Sequence, residues 1–163
     1  MVQLVRTFLL LGSNLGDRQD HLEKARTLIK RRIGKLVAIS SVYQTAAWGN
    51  TEQAAFLNQV IGAETRLTPE QIWTAVQGIE KKEGRTPSEK WGPRTLDIDI
   101  LFYGDQIINT PTLTIPHPEI ANRRFTLEPL MEVEPDLVHP VLNKTVRKLL
   151  AACPDGLPVE IYR

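Results

Sequence analysis

The sequence has little cysteine, little net charge and no long apolar run. Cys153 is the only cysteine among 163 residues, so neither an intrachain disulfide nor a zinc site built on several cysteines is possible. The apolar run at residues 8–11 is too short for the core of a signal peptide and far too short to span a bilayer. These absences favour a cytoplasmic protein.

The net charge argues against one class of function, and a missing motif excludes another. The formal net charge is +1, so the chain has no global positive field for duplex nucleic acid. No G-x-x-x-x-G-K-[ST] motif is present, which excludes a P-loop kinase. The length suits one domain, which we expect to cover residues 1–163.

The apolar patterns predict a βαββαβ order of elements. Strands are expected over residues 5–11, 36–43, 56–66 and 95–103, and helices over 17–34 and 68–84. This α+β order is that of a ferredoxin-like fold, an antiparallel sheet with helices on one face. The opposite face would be left to loops, which often contain functional residues. The C-terminal third is proline-rich and predicts short helical pieces, the last near residues 145–153.

Two carboxylates interrupt the strand expected in WGPRTLDIDILFYG, residues 91–104. Side chains two residues apart on a strand share a face, so Asp97 and Asp99 project to the same side. The apolar residues between them form the opposite face, which is expected to meet the helices; they are Leu96, Ile98, Ile100 and Phe102.

Like charges about 6–7 Å apart repel each other. A divalent cation would relieve this, and Mg²⁺ commonly takes one or two carboxylates and completes its shell with water and phosphate. A solvated polar strand face is the alternative, and a bare D-x-D favours it. Basic residues near the pair favour the metal: Arg85, Lys90, Arg94, His117 and Arg123. Carboxylates for a metal with arginines for phosphate are typical of phosphoryl transfer.

Four segments together resemble a known family. They are LGSNLGD (11–17), EKKEGR (80–85), WGPRTLDIDILFYG (91–104) and TIPHPEIANRRFTLEPL (114–130). In this order they resemble the hydroxymethyl-dihydropterin pyrophosphokinases of folate biosynthesis, over residues 10–136. The resemblance implies a ferredoxin-like fold and transfer of the pyrophosphoryl group of ATP to the hydroxyl of 6-hydroxymethyl-7,8-dihydropterin, with release of AMP. It also implies two Mg²⁺ ions bound with ATP.

The resemblance implies a role for individual residues. Asp97 and Asp99 match the metal ligands, and with Arg85 and Arg94 they form the expected catalytic set. The expected ATP contacts are Gln77, Glu80, Arg85, Trp91, Arg94, Ile100 through its backbone, His117 and Arg123. The expected pterin contacts are Thr45, Trp48, Phe56, Asn58, Asp97 and Phe125, with the two phenylalanines stacking on the ring. Without the resemblance, core packing would be the better interpretation of Phe56 and Phe125.

Two other functions stay open on the residues alone. A ferredoxin-like module that binds nucleic acid would place aromatic residues on the open sheet face, whereas two aspartates are expected there. A Mg²⁺-dependent phosphohydrolase would consume ATP without an acceptor. The resemblance favours a monomer that acts on small molecules, with neither a nucleic acid nor a membrane as its partner.

Overall fold

The computed structural model describes residues 3–45, 55–85 and 95–163. These ranges contain eight strands and four α-helices. They are β1 (Val5–Ser13), α1 (Arg18–Arg32), β2 (Gly34–Ile39), β3 (Tyr43–Thr45), β4 (Phe56–Thr65), α2 (Pro69–Lys82), β5 (Asp97–Tyr103), β6 (Ile108–Asn109), β7 (Thr114–Ile115), α3 (Arg124–Val133), α4 (Val146–Ala151) and β8 (Glu160–Ile161). No helix within the described ranges is long and apolar enough to cross a bilayer.

Both long helices begin where the sequence predicts. Asp17 caps α1, because its carboxylate accepts the Asp20 N–H at 3.1 Å. Thr68 caps α2 in a complete capping box with Gln71, and Pro69 follows at the first helical turn. Local side-chain chemistry therefore sets the N-terminal ends of both helices.

One antiparallel sheet runs in the order β5-β1-β4-β3-β8, and β2 also pairs with β4. The strand expected over residues 36–43 is in fact divided into β2 and β3. Ser40 lies in the break, where its hydroxyl accepts the Val60 N–H at 2.9 Å. A side-chain oxygen thus replaces one ladder bond, and the chain bends between the two strands. Strand β5 lies at an edge of the sheet.

The first face of the sheet is covered by α1 and α2. Leu9, Leu11 and Ile61 from the strands pack in one buried cluster with Leu22, Ile29, Ile72 and Ile79 from the two helices. Leu96, Ile98 and Ile100 belong to the same cluster, so their predicted contact with the helices is confirmed. The mixed α/β architecture with an antiparallel sheet is also confirmed.

The second face is not left to loops alone, and this part of the prediction is wrong. Helices α3 and α4 cover one end of it. We call this the covered end; its sheet residues are Phe8, Leu10, Val60, Leu101 and Phe102, and its helix residues are Leu127, Leu130, Val146 and Leu149. So much apolar surface on a sheet needs a second layer to exclude water from it.

Phe102 lies on the face opposite to the predicted one. The register between β1 and β5 shifts at Phe8 and Leu9, which pair with Phe102 and Ile100, so that Leu101 has no partner of its own. An extra residue of this kind is a β-bulge, and it reverses the alternation beyond it. Phe102 therefore packs edge-on against Phe8, with ring centroids 6.4 Å apart.

Candidate functional site

The other end of the second face is polar. Gly12 of β1 pairs with Asp97 on one side and with Asn58 on the other, and directly paired residues project to the same face. Tyr43 in turn pairs with Asn58, and Thr45 lies two residues further along β3. We call this region the open end; its residues are Asp97, Asp99, Gly12, Asn58 and Thr45.

Asp99 is the member of the carboxylate pair whose charge is disfavoured at the open end. The two side chains of the pair are only 25% (Asp97) and 28% (Asp99) exposed. Burial, followed by the charge of Asp97, raises the pKa of Asp99 from 3.8 to about 7, even though Arg123 and Arg85 act in the opposite direction. A bound cation would remove this electrostatic cost.

Arg85 joins α2 to the open end. Its Nη1 donates to Asp97 Oδ1 at 2.8 Å and to Glu80 Oε2 at 2.5 Å. Burial opposes the charge of the guanidinium, but the carboxylates of Asp97 and Glu80 outweigh it and raise the pKa of Arg85. The guanidinium therefore stays charged beside Asp97, and its remaining N–H groups can bind an anion.

Glu80 connects α2 to β5, the strand at the edge of the sheet. Its Oε2 also accepts the Ile98 N–H of β5 at 2.9 Å. Burial raises the pKa of Glu80, although the Ile98 and Arg85 hydrogen bonds lower it. Backbone groups of alternate residues on a strand point the same way, so the backbone of Ile100 also faces outward from this edge.

His117 approaches the aspartates from the opposite side. Its backbone N–H donates to the Leu101 carbonyl at 3.0 Å, and its Nδ1 accepts the Glu119 N–H at 3.1 Å. Burial and the nearby Arg123 lower the pKa of His117, so the ring is neutral at pH 7. The proton then lies on Nε2, which is 4.0 Å from Asp99 Oδ1 and can donate a hydrogen bond into the site.

These groups surround a cavity of about 510 Å³ along the edge of β5, a size typical of small-molecule sites. The described residues expected to contact ATP all line it: Gln77, Glu80, Arg85, Ile100, His117 and Arg123. Asp97 and Asp99 line it as well. The structure thus brings the expected metal ligands and nucleotide contacts together, while their roles stay predictions.

The expected pterin contacts lie further along the second face. Asn58 is buried, and its Nδ2 donates to Thr45 Oγ1 at 3.3 Å. Phe56 is the cross-strand partner of Thr45. Phe125 lies in the first turn of α3, partly buried, with the guanidinium carbon of Arg123 5.6 Å from its ring centroid. Both phenylalanines keep part of their surface accessible, so neither is a fully buried core residue.

Three expected site residues lie outside the described ranges. They are Trp48, Trp91 and Arg94, and their predicted contacts stay predictions.

Sequence reasoning missed several residues at the site. A Cβ built on Gly12 would lie 2.9 Å from Asn58 Oδ1, so the absent side chain leaves room for the Asn58 amide between Asp97 and Thr45. Trp73, Val76 and residues 112–114 also line the cavity. The spacing of residues along one strand cannot identify them, because each contact joins elements that are distant in sequence.

The open end fits a magnesium ion better than a metal held by protein alone. Within the described ranges no group of three or more His, Cys, Asp or Glu residues could hold a metal. Asp97 and Asp99 instead offer two carboxylates beside a cavity. Mg²⁺ needs only one or two carboxylates when water and phosphate oxygens complete its shell.

Comparisons with known proteins agree on one family. The model of 7,8-dihydro-6-hydroxymethylpterin-pyrophosphokinase (HPPK) matches residues 8–135. A 2-amino-4-hydroxy-6-hydroxymethyldihydropteridine pyrophosphokinase from Aquifex aeolicus is 40% identical over 145 residues, which cover 89% of this chain and 90% of that one. The enzyme of the same name from Pseudomonas aeruginosa is 39% identical over 150 residues, 91% of this chain and 92% of its own.

Solved structures show the same fold. The wild-type HPPK-DHPS of Plasmodium falciparum with pteroate superposes with a TM-score of 0.76 at 17% identity. The match covers 93% of this chain but only 43% of that one, so this chain spans less than half of the solved protein.

Proposed function

The chain belongs to the 7,8-dihydro-6-hydroxymethylpterin-pyrophosphokinase family, and from this premise we propose that the open end is its active site. The protein is a pyrophosphokinase: it transfers the pyrophosphoryl group of ATP to 6-hydroxymethyl-7,8-dihydropterin in folate synthesis. The observation that supports the location best is the carboxylate pair Asp97 and Asp99 in the wall of a nucleotide-sized cavity, where burial and the charge of Asp97 raise the pKa of Asp99.

Asp97 and Asp99 would hold the magnesium that accompanies ATP. When bound, Mg²⁺ neutralises phosphate charge and polarises the phosphoryl oxygens. Arg85 keeps Asp97 oriented through their 2.8 Å contact, and its free N–H groups are available to phosphate oxygens. Asp97 and Asp99 would thus bind the metal, and Arg85 would bind the phosphate anion.

The edge of β5 provides the nucleotide position. Ile100 would use its outward backbone groups to read the adenine, as the backbone of Ile98 already binds Glu80. Gln77 lies on the same wall of the cavity. Arg123 would neutralise phosphate charge on the opposite side, and neutral His117 would donate from Nε2.

The pterin position follows from the strand register. Gly12 separates Asp97 from Asn58, and two strand spacings amount to about 10 Å. A flat pterin ring held by Asn58 and Thr45 and stacked on Phe125 would therefore direct its hydroxymethyl group toward Asp97. Positioning the hydroxyl in line with the β-phosphorus and compensating charge are the main contributions that such a transfer needs.

The setting is also a proposal. We propose a monomer in the cytoplasm that works on these two small molecules, without nucleic acid or membrane. A single cysteine is compatible with a reducing compartment, and the near-zero net charge gives no attraction to polyanions.

A coupled product assay tests the function. Purified protein is incubated with Mg²⁺ and ATP, with and without 6-hydroxymethyl-7,8-dihydropterin, and AMP, phosphate and pyrophosphate are measured. We expect AMP to form in a 1:1 ratio with pterin diphosphate and only when the pterin is present. ATP consumption that does not require the pterin would overturn the proposal and favour a phosphohydrolase.

A further inference from the structure

Glu132, in the last turn of α3, accepts hydrogen bonds from three donors: the Tyr43 hydroxyl of β3 and two groups of Ser41, just before that strand. Its carboxylate accepts the Tyr43 hydroxyl at 2.6 Å, the Ser41 N–H at 2.9 Å and the Ser41 hydroxyl at 3.3 Å. Glu132 itself is exposed, whereas Tyr43 is only 8% exposed. Three hydrogen bonds hold the exposed Glu132 side chain in one position against its side-chain entropy, and they join α3 to the start of β3.

The two joined elements contain opposite parts of the proposed pterin position. Glu132 and Phe125 are seven residues apart on α3, nearly two full turns, so they share one face of the helix about 10 Å apart. Tyr43 and Thr45 share one face of β3, and Tyr43 pairs with Asn58. We call Phe125 on α3 the helix wall, and Thr45 with Asn58 the strand wall.

The Tyr43 hydroxyl is suited to hold these walls at a fixed distance. Burial and the hydrogen bond that Tyr43 donates to Glu132 raise the pKa of Tyr43 well above its usual 10, so the hydroxyl keeps its proton and remains the donor. Aromatic stacking depends steeply on the ring separation, and sub-ångström widening already loses much of the contact energy.

We propose that Tyr43 and Glu132 are positioning residues that set the distance between the helix wall and the strand wall, and thereby the affinity for the pterin. The inference rests on the proposed function. Neither residue lines the nucleotide cavity, which is bounded by α2, β5 and residues 112–123 at the other edge of the sheet. Loss of the contact should therefore weaken pterin binding and spare ATP binding.

The test compares Tyr43→Phe and Glu132→Ala with a matched control. Tyr103→Phe also removes a buried tyrosine hydroxyl, one that donates to the Leu67 carbonyl at 2.8 Å and lies away from the pterin walls. Calorimetry would measure two dissociation constants: that of 6-hydroxymethyl-7,8-dihydropterin in the presence of Mg²⁺ and a non-hydrolysable ATP analogue, and that of the analogue alone.

The expected pattern is selective. Tyr43→Phe and Glu132→Ala should raise the Kd for the pterin about three- to tenfold, the value of one net hydrogen bond, and leave that for the analogue within twofold. Glu132→Gln should restore most of the affinity, because its amide oxygen still accepts the Tyr43 hydroxyl. Tyr103→Phe should leave both constants unchanged.

Several results would overturn the inference. They are equal losses for both ligands, a wild-type pterin Kd in Glu132→Ala, or the same pterin loss in Tyr103→Phe. If Tyr43→Phe does not fold, Glu132→Ala decides, since Glu132 is exposed. Failure of the wild-type protein to bind the pterin would instead contradict the proposed function itself.

Discussion

The covered end and the open end of the second face share strands β1, β4 and β5, and the open end also includes Thr45 of β3. Along β1 this face changes from Phe8 and Leu10 to Gly12, and along β4 it changes from Val60 to Asn58. Strand β5 changes earlier, from Leu101 to Asp99, because Asp99 is the cross-strand partner of Leu10. Continuous hydrogen-bonded strands thus hold a polar site rigidly on a buried apolar base.

The two ends contribute differently to free energy. The covered end excludes apolar surface from water, which is the main source of folding stability. The open end places two carboxylates together at partial burial and so opposes folding in the absence of a cation. Stability and activity should therefore respond to substitutions at opposite ends.

The largest expected effect is on activity at the open end. Asp97→Asn should lower kcat/KM by roughly 10²–10³-fold, because several kcal/mol of charge stabilisation through the metal are lost, while the circular dichroism spectrum stays native. Steady-state AMP formation checks this. A folded variant with wild-type turnover would show that Asp97 is not part of the active site.

The matching change at the covered end should affect stability instead. Leu149 of α4 is 5% exposed and packs in the apolar cluster of the covered end. Leu149→Ala should lower the free energy of unfolding by about 2–5 kcal/mol and leave turnover per folded molecule within twofold. Urea denaturation and the AMP assay measure the two quantities. A loss of turnover at unchanged stability would contradict the assignment of stability to the covered end and activity to the open end.

Phe125 lies between the covered end and the open end, so its substitution tests which of the two it belongs to. Phe125→Ala should weaken pterin binding about 10- to 100-fold, since stacking on an aromatic ring is worth about 1–3 kcal/mol, and should affect ATP binding much less. Calorimetry with each ligand distinguishes this from a core role, which would lower both affinities and the stability together.

The substitution Gly12→Ala has the smallest expected effect of those considered. In Gly12→Ala the new methyl group would lie 2.9 Å from Asn58 Oδ1, and a side-chain end can move aside. The displaced amide should cost about two- to tenfold in pterin affinity, the value of one strained rotamer, with little loss of stability. A drop in thermal stability without a change in pterin binding would contradict this.

The sequence predicts the parts of this molecule that depend on local rules. Alternation places Asp97 and Asp99 on one face, and the caps Asp17 and Thr68 mark both long helices. The sequence does not predict that helix α3 covers the second face, because Pro129 lies inside α3 and a proline in the interior normally argues against a helix.

The remaining errors concern contacts between distant segments. The bulge at Leu101 places Phe102 on the opposite face of the sheet, yet nothing in the sequence of the strand indicates a bulge. The role of Gly12 depends on the register between β1 and β4, and Glu80 meets Ile98 only after α2 packs on the sheet edge. Such features follow from tertiary packing, which overrides the local pattern.

The unfolding free energy of Asp99→Asn tests the contrast between the two ends most directly. The pKa of Asp99 is raised from 3.8 in the unfolded chain to about 7 in the folded protein, so its contribution to stability is present below the lower value and is lost as pH rises through the higher one. In EDTA, the unfolding free energy of Asp99→Asn should equal that of the wild type near pH 4 and exceed it above pH 7. Without EDTA, Mg²⁺ with an ATP analogue should stabilise only the wild type, and Asp99→Asn should be inactive in the AMP assay with Mg²⁺. A variant that is less stable than the wild type at pH 8 and still turns over would contradict the account.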